Sequence, residues 1–202
     1  MKHKLILASR EPVGAAVLQP EVTRALRRAA LIELARTGYA NLSMAAVARR
    51  AHVGKPALYR RWNGKQDLVT DLFQRVGLPI VEIDDLGSLE NELTEYARRS
   101  LDVLNRPLAR AILPDIYAEM TRDSELAALI RSNLQEPKRV RAEAILERAI
   151  HRGELAGSID RELALDIMAG PLYWRAIVTR QEVGPDFMAC YAKSVAAALR
   201  AR

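Results

Sequence analysis

The chain has 202 residues, 50% of them hydrophobic but only 5% aromatic, with one cysteine and a net charge of +6. That length suffices for a real buried core, and the lone Cys190 excludes an internal disulfide and points to a reducing compartment. No apolar run approaches the roughly 18 residues of a membrane span. "LILA" (Leu5–Ala8) falls short of the roughly 7–15 apolar residues of a signal sequence, so a cytoplasmic protein with no membrane association is expected. The charge is unevenly spread: residues 1–20 carry +2, residues 21–77 carry +7 and the remainder −3. In the middle block eleven Lys/Arg face four acids, the balance of a polyanion-binding head on a mildly acidic body, although arginine-rich helices are also common as plain solvated surfaces.

In chain order, the first helical pattern starts at Val22, with Leu26, Ala29, Ala30 and Leu34 on one stripe, and Gly38 placed to stop it in a left-handed conformation. Ser43 is a good N-cap for "MAAVARR", whose Val47 and Ala48 face inward. That second helix ends near Ala51-His52. Pro56 suits the first position of a third helix, with Lys55 as its N-cap. Asn63 is placed to cap a fourth helix, with Gln66 completing a capping box and Leu68, Leu72 and Val76 on its apolar face. "GLPIVEIDDLGS" (Gly77–Ser88) reads as a linker.

The body is helical again, in longer pieces. Leu89, Leu93, Tyr96, Ala97, Leu101 and Leu104 form a stripe. A segment from Leu108 to Met120 follows, broken or bent near Pro114. Another runs from Ser124 towards Pro137, and "KRVRAEAILERAIHRG" ends at Gly153. Asp160 caps a helix that Gly170-Pro171 should bend, and a last helix carries Phe187, Tyr191, Val195, Ala198 and Leu199 on its apolar side. There is no internal repeat and no low-complexity tract.

Two short helices joined by a tight turn, the second entered through Gly54-Lys55-Pro56, form a helix-turn-helix pattern. At about 100° per residue, Leu58 and Trp62 share an inward face, whereas Pro56, Ala57 and Arg60 lie opposite them. Tyr59, Lys55 and Arg61 flank that outward face. Small or flat residues at the entrance with basic residues on the rims suit a major groove and its phosphates.

"LSMAAVARRAHVGKPALYRRWNGKQDLV" (Leu42–Val69) resembles the DNA-binding head of the tetracycline-repressor (TetR) family, and the likeness extends back through "PEVTRALRRAALIELARTGYANLS". "ERAIHRGELAGSIDRELALDIMAGPLYWRAIVT" and "PDFMACYAKSVAAAL" are similar to the last helices of one TetR subgroup. The resemblance implies an all-α protomer of about nine helices. It has a flexible arm (1–20), a three-helix helix-turn-helix head extended by a fourth helix (21–77) and a helical effector-binding and dimerisation domain (78–202). It also implies a homodimer on a palindromic double-stranded DNA operator, released by a small ligand.

Carried over by position, Ser43 is implied to bond a phosphate, Lys55, Pro56 and Ala57 to face the groove, and Tyr59 to meet the backbone. Arg60 is implied to contact base or backbone and Lys65 to bind phosphate at the start of the fourth helix, with Arg61 on the rim. His52 stands where the family usually has glycine, so a slightly strained turn is expected. Ala57 stands where many members have Thr or Ser, which removes a hydrogen bond and leaves a thymine-methyl contact. Trp62 is read as core, and Lys2, Lys4 and Arg10 as an arm that either reaches a minor groove or is disordered.

In the body, small residues (Ala169, Gly170, Ala189, Ala192, Ala196) on the last two helices permit close approach at a dimer seam, or simply pack within one protomer. Leu101, Leu104, Ile112, Ile116, Tyr117, Met120, Tyr173 and Trp174 are candidates for a ligand pocket or for plain core. Few charged residues seem destined for the interior by pattern alone, which points to an apolar or weakly polar effector. Cys190 reads as a small buried hydrophobe, the alternative being an oxidant-sensing thiol. An enzyme is not expected: His3, His52 and His151 are scattered, there is no HExxH or CxxC spacing and no Gly-rich phosphate loop, so no cofactor or metal is implied. The competing reading is a helical protein-binding adaptor, whose contact with DNA would be weak and insensitive to salt.

Overall fold

The computed structural model describes residues 19–75 and 82–201. The basic arm at Lys2, Lys4 and Arg10, the Val76 position and the first part of the linker lie outside them. The described residues are helical throughout: α1 (Pro20–Thr37), α2 (Met44–Arg50), α3 (Lys55–Tyr59), α4 (Lys65–Arg75), α5 (Leu89–Leu104), α6 (Pro107–Met120), α7 (Ser124–Ile130), α8 (Glu136–His151), α9 (Arg161–Tyr173) and α10 (Pro185–Arg200). A π turn, Arg131–Gln135, joins α7 and α8 into one run, so the described residues form nine helices. None of them is long and apolar enough to cross a membrane.

The head is built on the stripe expected in α1. Leu26, Ala29, Ala30 and Leu34 are buried against Val47 and Ala48 of α2, Leu58 of α3, and Leu68, Val69 and Leu72 of α4. Two ion pairs tie the helices across this core: Arg27 Nε lies 2.7 Å from Asp71 (α1 to α4) and Arg50 Nε 2.6 Å from the buried Glu33 (α2 to α1). In the body α5 is central, packing on α10, α8 and α9. The distal part of the linker is not loose. Ile83 enters the core, and Arg148 donates to its carbonyl at 3.1 Å.

Prolines produce π turns where breaks were expected. The α6 helix runs through Pro114 without interruption. At Pro137 and Pro171 the missing N–H cannot close an i→i+4 bond. The π turn Arg131–Gln135 ends just before Pro137 and carries the chain on into α8, whereas a second, Trp174–Val178, follows Pro171 and closes α9. The α4 capping box also differs from expectation. Asp67 Oδ2, not Gln66, accepts from the backbone N (3.1 Å) and side-chain Nδ2 (2.8 Å) of Asn63, while Gln66 Nε2 donates to Glu125.

Small residues on the last helices divide by face. Ala192 and Ala196 are buried within the protomer, whereas Ala169, Gly170 and Ala189 are exposed. Cys190 is exposed too, contrary to the buried reading, because it lies on the opposite side of α10 from Tyr191, Val195 and Leu199.

Candidate nucleic-acid interface and body cavity

The α2–α3 unit forms as its residues dictate. Ser43 is extended and its Oγ accepts from Ala46 N at 3.4 Å, capping α2. The helix ends in a Schellman arrangement: His52 N donates to Arg49 O (3.1 Å) and Val53 N to Ala48 O (3.0 Å). The residue between them in the left-handed region is His52, at φ 55°. This strain was expected from its standing in a glycine position. Replacing it, His52→Gly, is expected to raise stability by about 1 kcal/mol, read as a higher urea midpoint at unchanged m-value.

The N-cap of α3 is Gly54 (φ −68°, ψ 145°), one residue earlier than the Lys55 expected, so Lys55 and Pro56 form the first turn. Gly54 O accepts from Ala57 N at 3.0 Å, and helical bonding continues past Tyr59 to Trp62 N, which donates to Leu58 O. Leu58 and Trp62 are buried, as their angular positions require; Lys55, Pro56, Tyr59 (51% exposed) and Arg60 face outward, with Ala57 half-buried among them. Ser43 is exposed beside them at the start of α2.

The head's cations fall into two groups. Arg27, Arg50 and Arg61 are committed inside the protein. Arg61, expected on the rim, donates to Thr23 Oγ1 (2.7 Å), Ala57 O (2.6 Å) and Gln19 O (3.2 Å), pinning the end of α3 to the start of α1. Burial and the neighbouring Arg60 charge lower its pKa. Lys65 Nζ sits 4.4 Å from the Tyr39 ring centroid and donates to Tyr39 O and Ala40 O at 3.3 Å, leaving one of its three protons free. By contrast Arg28, Arg49, Lys55 and Arg60 are exposed and make no ion pair among the described residues. Arg49 was counted only as bulk charge in the sequence, because nothing in its spacing separates it from the paired Arg50.

In the body a cavity of about 510 Å³ opens between α5, α6, α8 and α9. Of the eight sequence candidates, Leu104, Tyr117 and Tyr173 line it. Leu101, Ile112 and Ile116 are core, Met120 packs against the core away from the cavity, and Trp174 is 61% exposed. At about 100° per residue Trp174 lies on the opposite side of α9 from the buried Leu165, Met168 and Leu172. Tyr117 and Tyr173 meet edge to face at 5.2 Å; burial pushes the Tyr173 hydroxyl up to about 12 and also raises that of Tyr117. Sequence reasoning missed the polar part of the wall: Tyr96, Ser100, Gln135, Lys138, Arg139 and Asp166. Tyr96 and Ser100 stand four residues apart on α5, a spacing that could have flagged them. Lys138, in the basic run "KRVR", looks like surface.

The family model for the N-terminal region, described as bacterial regulatory proteins of the tetR family, matches residues 26–72, and that for a tetracyclin repressor-like C-terminal domain matches residues 83–195. A DNA-binding transcriptional repressor, TetR, of Mycobacteroides abscessus is 33% identical over 155 residues, covering 75% of this chain and 80% of its own. The HTH-type transcriptional regulator YdeS of Bacillus subtilis is 26% identical over 82% of this chain and 83% of its own. Among solved structures, Salmonella enterica GusR superposes with a TM-score of 0.73 at 20% identity, over 90% of this chain and 96% of that one, a likeness of fold. Matched at both ends by that family's models over a helix-turn-helix head and a helical body, the chain belongs to the TetR family and is a DNA-binding transcriptional regulator.

Proposed function

We propose that this regulator is a cytoplasmic homodimeric repressor that binds a palindromic operator and is released by a small effector. In this reading residues 1–20 are an arm, 21–77 the reading head and 78–202 the effector-binding and dimerising body. The observation that carries it is the outward face of α3: Lys55, Pro56, Ala57, Tyr59 and Arg60 lie together with no ion pair among the described residues. One such helix reads few base pairs, so two must be held roughly 34–36 Å apart, or a multiple of that, to reach major grooves on one side of the duplex. The exposed Leu163, Trp174 and Val178 of α9 and its π turn, with Ala189 of α10, are the surface a second copy covers.

Within the head, Lys55, Pro56, Ala57 and Arg60 enter the groove, and Ser43, Tyr59 and Lys65 meet phosphates, Lys65 through its remaining proton. Arg61 acts through its ties to Thr23 and Gln19, holding α3 in place. The test is selection from a random duplex library across a salt series, followed by titration of variants on the enriched sequence. A palindrome is expected, with affinity falling steeply as salt rises. Arg60→Ala is expected to cost about 1–3 kcal/mol and relax preference at its base position. Tyr59→Phe and Lys65→Ala are expected to weaken all sequences alike. Retention without sequence enrichment would reduce the head to a non-specific phosphate grip. No retention at low salt would leave a protein-binding adaptor.

A further inference from the structure

Lys138 has no partner. It lies in the first turn of α8, its side chain lines the body cavity, and no carboxylate or carbonyl among the described residues accepts from its ammonium. Burial alone pushes that ammonium down to about 8. Among the described residues the wall holds one carboxylate, Asp166, which is paired with Arg139 at 2.7 Å, and Arg139 is paired again with Glu162. The cavity therefore carries one uncompensated positive charge in a wall that is apolar and aromatic on one side and polar around Ser100, Gln135 and the Arg139–Asp166 pair. Lys138 is half-buried, with its ammonium open to the cavity, and a charge partly withdrawn from water gains from a counter-ion there.

We infer that the cavity takes an amphipathic organic monocarboxylate, its carboxylate on Lys138 Nζ and its apolar body against Leu104, Leu165, Tyr117 and Tyr173. This rests on the reading that the body binds an effector, and it replaces the apolar or weakly polar ligand expected from sequence with an anionic one. A carboxylate fits better than a phosphate dianion. One ammonium neutralises one charge, and the only guanidinium on the wall, the fork of Arg139, is already occupied by two acids.

The test is isothermal titration of the full chain without DNA at pH 7, using biphenyl-4-carboxylate and its near-isosteric neutral counterpart biphenyl-4-carboxamide. The acid is expected to bind about tenfold or more tightly than the amide. Lys138→Met should bring the two together, and Lys138→Arg should keep the acid ahead. Circular dichroism of each variant checks that the helices persist. Equal binding of acid and amide to the unaltered protein, a preference that survives in Lys138→Met, or no heat from either probe overturns the inference. Operator retention is measured separately with the same acid. Lys138-dependent binding that leaves DNA bound would uphold the anion site and reject effector release alone.

Discussion

Glu92→Ala is expected to lower the melting temperature by roughly 6–12 °C, about 3 kcal/mol, the largest loss of any single substitution considered for the body. Glu92 is 0% exposed, in the first turn of α5, and faces two arginines of the α8 end: Arg148 at 2.6 Å and Arg152 at 2.9 Å. Arg148 also donates to Ile83 O, and Arg152 pairs with Asp85 and with Glu154, whose carboxylate in turn accepts from Leu89 N at the start of α5. Removing the central carboxylate leaves two partly buried cations repelling each other across the joint of linker, α5 and α8. The cost stays near the lower edge of what a broken buried pair exacts, because both arginines keep about a fifth of their side-chain surface in solvent (24% and 20%). Replacing Glu92 and Arg148 together by Leu should recover much of the loss, since no net charge is then newly orphaned at that pair. A melting temperature for Glu92→Ala within 2 °C of the parent would show that the network adds little.

Gly38→Ala is expected to cost about 2–4 kcal/mol and to disturb the contact between head and body. Gly38 sits at φ 73°, ψ 172°, a region essentially closed to residues with a side chain. A Cβ there would stand 2.4 Å from Asp115 Oδ1 on α6. The same carboxylate accepts from Tyr39 N at 2.7 Å, so the glycine lets the acid approach the backbone that it holds. Asp115→Ala alone should cost about 1–3 kcal/mol by leaving that amide without its acceptor. In the double variant the steric part vanishes while the backbone strain remains, so the combined loss should be clearly smaller than the sum. Simple additivity in urea titrations would reject the close approach as the source of the effect.

The position of this contact matters for regulation. Asp115, which grips the end of α1, stands two residues before Tyr117, which lines the cavity, so one short helix touches both the head and the ligand space. Asp115→Ala should therefore leave acid binding in the cavity unchanged while weakening its effect on operator retention, a combination that titration with and without DNA separates. If the body binds the effector proposed above, α6 is placed to pass its preference to the head, beside the second link from α4 to the π turn that carries Gln135.

Local patterning reached far in the head. The Leu26–Leu34 stripe, the Ser43 cap, the strained His52 turn and the inward Leu58–Trp62 pair are each set by residues within a few positions of one another, and all appear as expected. What periodicity could not supply was the assignment of charges. Arg49 and Arg50 are neighbours, yet one is exposed and the other paired with a buried glutamate seventeen residues away. Arg61 looked like a rim residue until the start of α1 was seen to lie within its reach.

The amino-acid sequence by itself determined the all-helical class, the helix-turn-helix and its outward face, because helix periodicity, caps and turn chemistry act over short stretches of chain. Only the tertiary structure decided where the cavity lies, that Trp174 is outside it, and that Lys138 is inside it without a partner. Those outcomes depend on which helices meet and on which face each turns to the others. A lysine's burial is a property of its neighbours across space, and four separate helices had to assemble before this one acquired its surroundings.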